Sequence, residues 1–216
     1  YADLRRQGAA DSTQGFAAEF VLKLLKKRLF SSPRAFANTL ERHRDALDRK
    51  TERTHFKPTE GLLRRRVAGL EEDFADDEAY QESEDEVVRE TSGVMRPLTP
   101  DERALLEKLL AYAEKAAASG DAKLDRLLAW VEDTVRPLGR WGDTRVIVFT
   151  EYRDTQKWLQ DKLAARGLAD HGRLQVIYGG MTLEDREAGK AAFQADPAQS
   201  PGRILLATHP PSQGIH

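Results

Sequence analysis

Cysteine is absent from the 216 residues, so the chain has no disulfide framework, no thiolate zinc site and no cysteine nucleophile. Histidine is scarce, with five scattered residues, and metal chemistry would have to rest on these and on carboxylates. No apolar run approaches the 18 or more residues of a membrane span. The first residues lack the basic, apolar, small-residue order of a signal peptide. The expectation is a soluble, cytoplasmic protein with no membrane partner. Signatures of phosphoryl transfer are also lacking: there is no G-x-x-x-x-G-K-[ST] and no Asp-Glu pair after a strand. The glycine-containing stretch from Gly139 to Gly142 reads as a loop before a strand, not as a substitute.

Charge is plentiful, at 32% of residues against 40% hydrophobic, so a core is affordable somewhere but uniform globularity is not expected. The net charge of −2 conceals segregation. Residues 23–66 carry 14 Lys/Arg against 5 Asp/Glu, a net of +9, whereas residues 71–90 carry 11 acids against Arg89 alone. Residues 141–208 balance at nine and nine. A basic block of that density can neutralise nucleic-acid phosphates without sequence preference, or can simply form the solvated face of a helix. The acidic run EEDFADDEAYQESEDE lacks apolar periodicity and is expected to form a disordered or loosely helical linker over 71–98.

Periodicity predicts the elements. Phe16, Phe20 and Leu24, with Val21, Leu25 and Leu29 on the neighbouring ridge, predict an amphipathic helix over 16–30. Ser31 and Ser32 before Pro33 predict a kink and a second helix toward Lys50, within a basic helical region over 1–70. Two further helices are expected over 99–139: one starting at Thr99, Pro100 and Glu102 and stopping at Ser119-Gly120, the other capped by Asp121. The second carries Leu124, Leu127, Leu128, Val131 and Val135 on one stripe.

From Gly142 onward strand and helix alternate. Arg145–Phe149, Leu174–Tyr178 and Arg203–Ala207 read as strands, separated by helices over about 154–166 and 183–194. This βαβαβ order predicts an α/β fold with three parallel strands and right-handed crossovers over 140–216. A three-stranded sheet leaves an edge and apolar surface uncovered, and with the chain reaching only His216 the expectation is a truncated, incomplete lobe.

These residues resemble a known family. KLDRLL from Lys123, RVIVFTEYRDT from Arg145, YGGM from Tyr178 with Arg186 and Phe193, and RILLAT from Arg203 resemble the second RecA-like lobe of superfamily 2 helicases. The nearest resemblance is to the Swi/Snf-like branch. LLKKRLFSSPRAF from Leu24 is similar to the connector between the two lobes in bacterial Swi/Snf-like helicases, including those of phage-defence systems. The resemblance covers about residues 16–50 and 122–215. It implies an incomplete RecA-like parallel βαβαβ lobe preceded by an α-helical connector, belonging to an ATP-dependent helicase or double-stranded DNA translocase.

The site residues follow from the same resemblance. Thr150, Glu151, Tyr152 and Arg153 are similar to the family's motif IV, which implies contact with nucleic acid or the inter-lobe cleft. Open α/β sheets bind ligands beyond the carboxyl ends of their strands, where this turn, Gly179, Gly180 and Thr208 are expected. Gly179 and Gly180 permit close backbone approach to a phosphate, with plain loop closure the alternative. Thr182 and Arg186 are weaker candidates. In the connector, Lys23, Lys26, Lys27 and Arg28 are candidate phosphate contacts.

Thr208 to His216 matches the place of motif V, commonly Thr-Asp-Ala-Ala-Ser-Glu-Gly-Ile-Asp in these relatives, but reads THPPSQGIH. Thr208, Ser212, Gly214 and Ile215 fit, implying backbone contact for Ser212 and the ATP cleft for Gly214. His209, Pro210, Pro211, Gln213 and His216 depart. Each departure can arise by one G-to-C change at the first codon base, a pattern expected of sequence error or engineering. Taken literally, the two prolines remove two backbone donors. His209 has no second ligand at useful spacing and reads as a bystander.

The family's Gln-x-x-Gly-Arg-x-x-Arg segment is also absent, so this chain alone is expected not to hydrolyse ATP and to hold no cofactor. ATP and magnesium would belong to the intact enzyme, together with an N-terminal motor lobe. RNA in place of DNA stays open, because backbone grip is nearly blind to sequence. The alternative reading is a non-enzymatic nucleic-acid- or protein-binding adaptor with a vestigial helicase lobe.

Overall fold

A computed structural model describes residues 1–49, 58–70 and 76–208. The described residues divide into two units, one of residues 1–49, 58–70 and 80–119 and one of residues 76–79 and 120–208.

The first unit is helical. It contains α1 (Ala2–Gln7), α2 (Ser12–Ser31), α3 (Pro33–Asp48), α4 (Glu60–Gly69), most of α5 (Asp77–Val94) and α6 (Pro100–Ser119). Local chemistry sets several of these ends. Ser32 closes α2 and opens α3, its Oγ accepting from the Ala35 N–H at 3.1 Å with Pro33 in the first turn. Thr99 and Glu102 form a reciprocal capping box on α6, at 2.9 Å and 3.3 Å. Val21, Leu25, Phe36, Leu40, Leu106 and Leu110 build the core where α3 packs between α2 and α6. Leu29, expected on the apolar stripe of α2, is exposed; the buried ridge continues from Val21, Leu24 and Leu25 to Arg28 instead.

Of the disordered or loosely helical linker expected over 71–98, residues 77–94 are helical and form α5. Residues 71–75 lie outside the described residues. The buried positions Glu84, Val87, Val88 and Thr91 stand at i, i+3, i+4 and i+7, an ordinary core-facing stripe whose first place is taken by a carboxylate. That carboxylate is tolerated because Arg28, 1% exposed, pairs with it. Arg42 pairs with Asp85 at 2.9 Å, and Arg66 approaches Glu90 at 3.7 Å. The acidic run is therefore the counter-charge of the basic block, and the two fold together.

A second buried polar cluster joins the far ends of this unit. The fully buried His43 ring meets Tyr1 Oη at 2.6 Å through Nε2 and Ser92 Oγ at 2.7 Å through Nδ1. Glu102, also buried, receives Arg96 at 2.7 Å and Arg5 at 3.4 Å.

The second unit is α/β, with α7 (Ala122–Val135), β1 (Val146–Thr150), α8 (Arg153–Ala165), β2 (Leu174–Ile177), α9 (Leu183–Gln194) and β3 (Ile204–Thr208). The helices expected as a pair over 99–139 thus fall into different units, parting after Ser119. All strand pairs are parallel, in the order β1-β3-β2. The last strand is central and flanked on both edges, leaving Ile204 and Leu206 with no exposed surface. Leu128, Val131 and Val135 of α7 and Trp158, Leu159 and Leu163 of α8 pack with Val146, Ile204 and Leu206. Arg203 pins the start of β3, donating to the carbonyls of Gly142 at 2.6 Å, Ser200 at 2.8 Å and Pro197 at 3.0 Å.

Candidate functional site

The register aligns the carboxyl ends of the three strands: Thr150 lies opposite Thr208, and Ile177 opposite Ala207. The loops that follow β1 and β2 and the end of β3 therefore gather at one end of the sheet, the place where open α/β sheets bind ligands. Thr150, Arg153, Gly179, Gly180 and Thr208, singled out from the sequence, all belong to this end.

Each is held differently. Thr150 is 8% exposed and its hydroxyl donates to the Tyr152 carbonyl at 3.3 Å, shaping the turn into α8. Glu151 is exposed and Tyr152 is buried. Arg153 opens α8, with its guanidinium 3.5 Å from the Tyr178 ring centroid, a cation–π stack between the β1 and β2 loops. It also donates to Gln156 Oε1. Gln156 has no exposed surface and donates from Nε2 to the carbonyls of Ile177 at 2.8 Å and Leu206 at 3.0 Å. One side chain thereby ties α8 to the ends of β2 and β3. The sequence reading missed Gln156, although its place on the stripe of Tyr152, Leu159 and Leu163 is the signal that could have found it. A polar residue on an apolar stripe is buried and needs partners.

Gly179 and Thr208 form the centre of the site. The Gly179 N–H donates to Asp77 Oδ2 at 2.6 Å, and the Thr208 hydroxyl donates to the same oxygen. Donors from the ends of two strands thus converge on a single anionic oxygen. Gly180 adopts φ +92°, open to glycine but strained for other residues. Asp77 also escaped the sequence reading, since nothing in an unbroken acidic run distinguishes it from its neighbours.

Other candidates do not join this group. Thr182 caps α9: its hydroxyl accepts from the Asp185 N–H at 3.1 Å and donates to the Asp185 carboxylate at 2.8 Å, so its role is local. Arg186 is half-buried on the same helix. Lys26 and Lys27 belong to the first unit, on the exposed side of α2. Lys23 pairs with Glu19 at 3.0 Å. Arg28 is corrected as a phosphate contact, being buried against Glu84. His209, Ser212 and Gly214 lie outside the described residues.

Among the described residues no group of three or more His, Asp or Glu could hold a metal ion, and no helix is long and apolar enough to cross a membrane. The Gly179 N–H, the Thr208 hydroxyl and the Arg153 guanidinium are neutral and cationic donors of the kind an oxyanion accepts. No family model matches the chain, and no curated protein or solved structure matches it either.

Proposed function

We propose that the chain contributes the second, RecA-like motor lobe of an ATP-dependent Swi/Snf-like helicase or double-stranded DNA translocase, and that the strand ends grip the phosphate backbone. The observation that carries this reading is the convergence of the Gly179 N–H and the Thr208 hydroxyl on one oxygen of an anion. A phosphodiester oxygen accepts the same two bonds, and such contacts position a duplex without reading its sequence. Arg153, stacked on Tyr178 beside these glycines, supplies positive charge to the same end of the sheet. In the intact enzyme, ATP and magnesium would be bound with the other lobe, and closure and opening of the cleft would make this grip alternate.

Hydrogen exchange at saturating 20-base-pair duplex tests the reading. Residues 150–153, 178–181 and 208 are expected to gain protection, with little change across α7. Uniform exchange with and without duplex would sink the reading and leave the adaptor alternative. A second expectation concerns α2: replacing Lys26 and Lys27 by alanine should flatten the salt dependence of duplex binding by about two phosphate contacts, a slope change of roughly 1.8. An unchanged slope would assign both lysines to a solvated helix face.

A further inference from the structure

The strand-end donors are not open to solvent; they hold part of the acidic segment. A Cβ on Gly179 would stand 2.9 Å from the Asp77 backbone nitrogen, and one on Gly180 would stand 2.5 Å from Asp76 Oδ1. The room made by the two glycines is therefore filled by Asp76 and Asp77. Asp77 takes both donors of the cradle, Gly179 N–H and Thr208 hydroxyl. Glu78 adds a second anchor, pairing with Lys157 of α8 at 3.4 Å. Meanwhile Arg153, 9% exposed and stacked on Tyr178, keeps an Nε without a hydrogen-bond partner among the described residues. A buried guanidinium nitrogen left unsatisfied beside the cradle marks a place where the bound carboxylate does not complete the donors' requirements.

We propose that Asp77 is a built-in competitor of the DNA phosphate backbone, an autoinhibitory plug that occupies the oxyanion cradle of Gly179 and Thr208 until duplex displaces it. The inference rests on the reading of the strand ends as a backbone grip. A carboxylate and a phosphodiester are both monoanions with two equivalent terminal oxygens, so the same donors serve either. The carboxylate has the advantage of being tethered, which gives it a high effective concentration. Three consecutive acids at 76–78 also repel an approaching polyanion. An occupied cradle lowers apparent DNA affinity by the fraction of time it is free.

The test measures binding of a labelled 20-base-pair duplex to the whole chain by fluorescence anisotropy at low salt, beside the hydrogen-exchange map above. Asp77→Ala is expected to bind about fivefold more tightly than the unaltered chain, as removing an occupant present about four-fifths of the time would require. Glu82→Gln, an exposed position further along α5, controls for the loss of one negative charge and is expected to change affinity little. The gain should vanish in Asp77→Ala/Thr208→Val, which empties the cradle and then removes one of its donors. If Asp77→Ala unfolds the second unit, Asp77→Asn keeps the size and one acceptor, and a smaller gain is expected. Should the aspartate variant bind no better than Glu82→Gln while duplex still protects residues 178–181, the plug is wrong and the grip stands. If duplex protects the strand ends in neither the unaltered chain nor Asp77→Ala, the grip itself is wrong and the plug falls with it.

Discussion

Arg28→Ala should destabilise the first unit by about 3–5 kcal/mol, far beyond the ±0.5 kcal/mol ordinary for a surface lysine or arginine. Arg28 is 1% exposed and Glu84 3% exposed. Removing the guanidinium leaves the Glu84 carboxylate buried among Val87, Val88 and Thr91, where its loss of hydration is no longer offset. The pair itself need not be a net source of stability. Arg28→Met with Glu84→Leu removes both charges and keeps apolar volume, and is expected to return most of the loss. Urea unfolding followed by far-ultraviolet circular dichroism measures the effect. All three tryptophans, Trp130, Trp141 and Trp158, lie in the second unit, so their fluorescence reports that unit separately. The dichroism transition should move to lower urea by more than the fluorescence transition. Unchanged stability with weakened duplex binding would instead restore Arg28 as a phosphate contact.

Acidification should unfold the first unit in two stages. Burial, helped by the nearby Arg5 charge, lowers the His43 pKa to about 3 from its ordinary 6.5. Below pH 6.5 the unfolded chain takes up a proton that the folded ring refuses, so stability is full above 6.5 and falls as pH drops toward 3. At about 1.4 kcal/mol per pH unit, the loss reaches about 3 kcal/mol by pH 4.5. The groups facing the ring are the Tyr1 and Ser92 hydroxyls, which can accept from either ring nitrogen, so it is burial, with the Arg5 charge, that disfavours a second proton.

Glu102 adds the second stage. Burial pushes its pKa up, but hydrogen bonds from Arg96 and the Thr99 N–H, with the charges of Arg5 and Arg96, outweigh burial and hold it at about 2. Its contribution is present above the ordinary 4.5 and lost between 4.5 and 2. Urea unfolding at pH 7, 6, 5 and 4.5 should show a steep decline that His43→Gln flattens, since glutamine can bond to both hydroxyls without titrating in this range. Equal slopes for the two proteins would mean that the ring protonates in the folded state.

Both results turn on a polar group occupying a position that periodicity assigns to the core. Arg28 lies on the Val21, Leu24, Leu25 ridge and His43 on the Phe36, Leu40, Leu47 stripe, as Gln156 lies on the Tyr152, Leu159, Leu163 stripe of the second unit, so their burial was legible as position. Their partners were not. Glu84 is 56 residues from Arg28, and the carbonyl of Leu206 is 50 residues from Gln156. Charge segregation suggested a basic block for phosphates and an acidic linker for solvent, because composition counts charges without knowing which of them face each other.

What the sequence by itself determined is local. The Ser32-Pro33 break, the capping box at Thr99 and Glu102, the Asp121 cap and the three short strand runs depend on residues within a few positions of one another. Apart from α2, which begins at Ser12 where residue 16 was expected, these elements lie within a residue or two of their expected bounds. The parallel arrangement of three strands also followed from the alternation of strand and helix, as did the gathering of Thr150, Gly179, Gly180 and Thr208 at one sheet end. Tertiary structure decided the rest: β3 at the centre of the sheet, α5 as a folded helix, Arg28 as a core residue and Asp77 in the cradle. The physical reason is that a charge enters a low-dielectric interior, or an anion fills a set of donors, only when its counterpart is brought there by the fold, and no local pattern records that meeting.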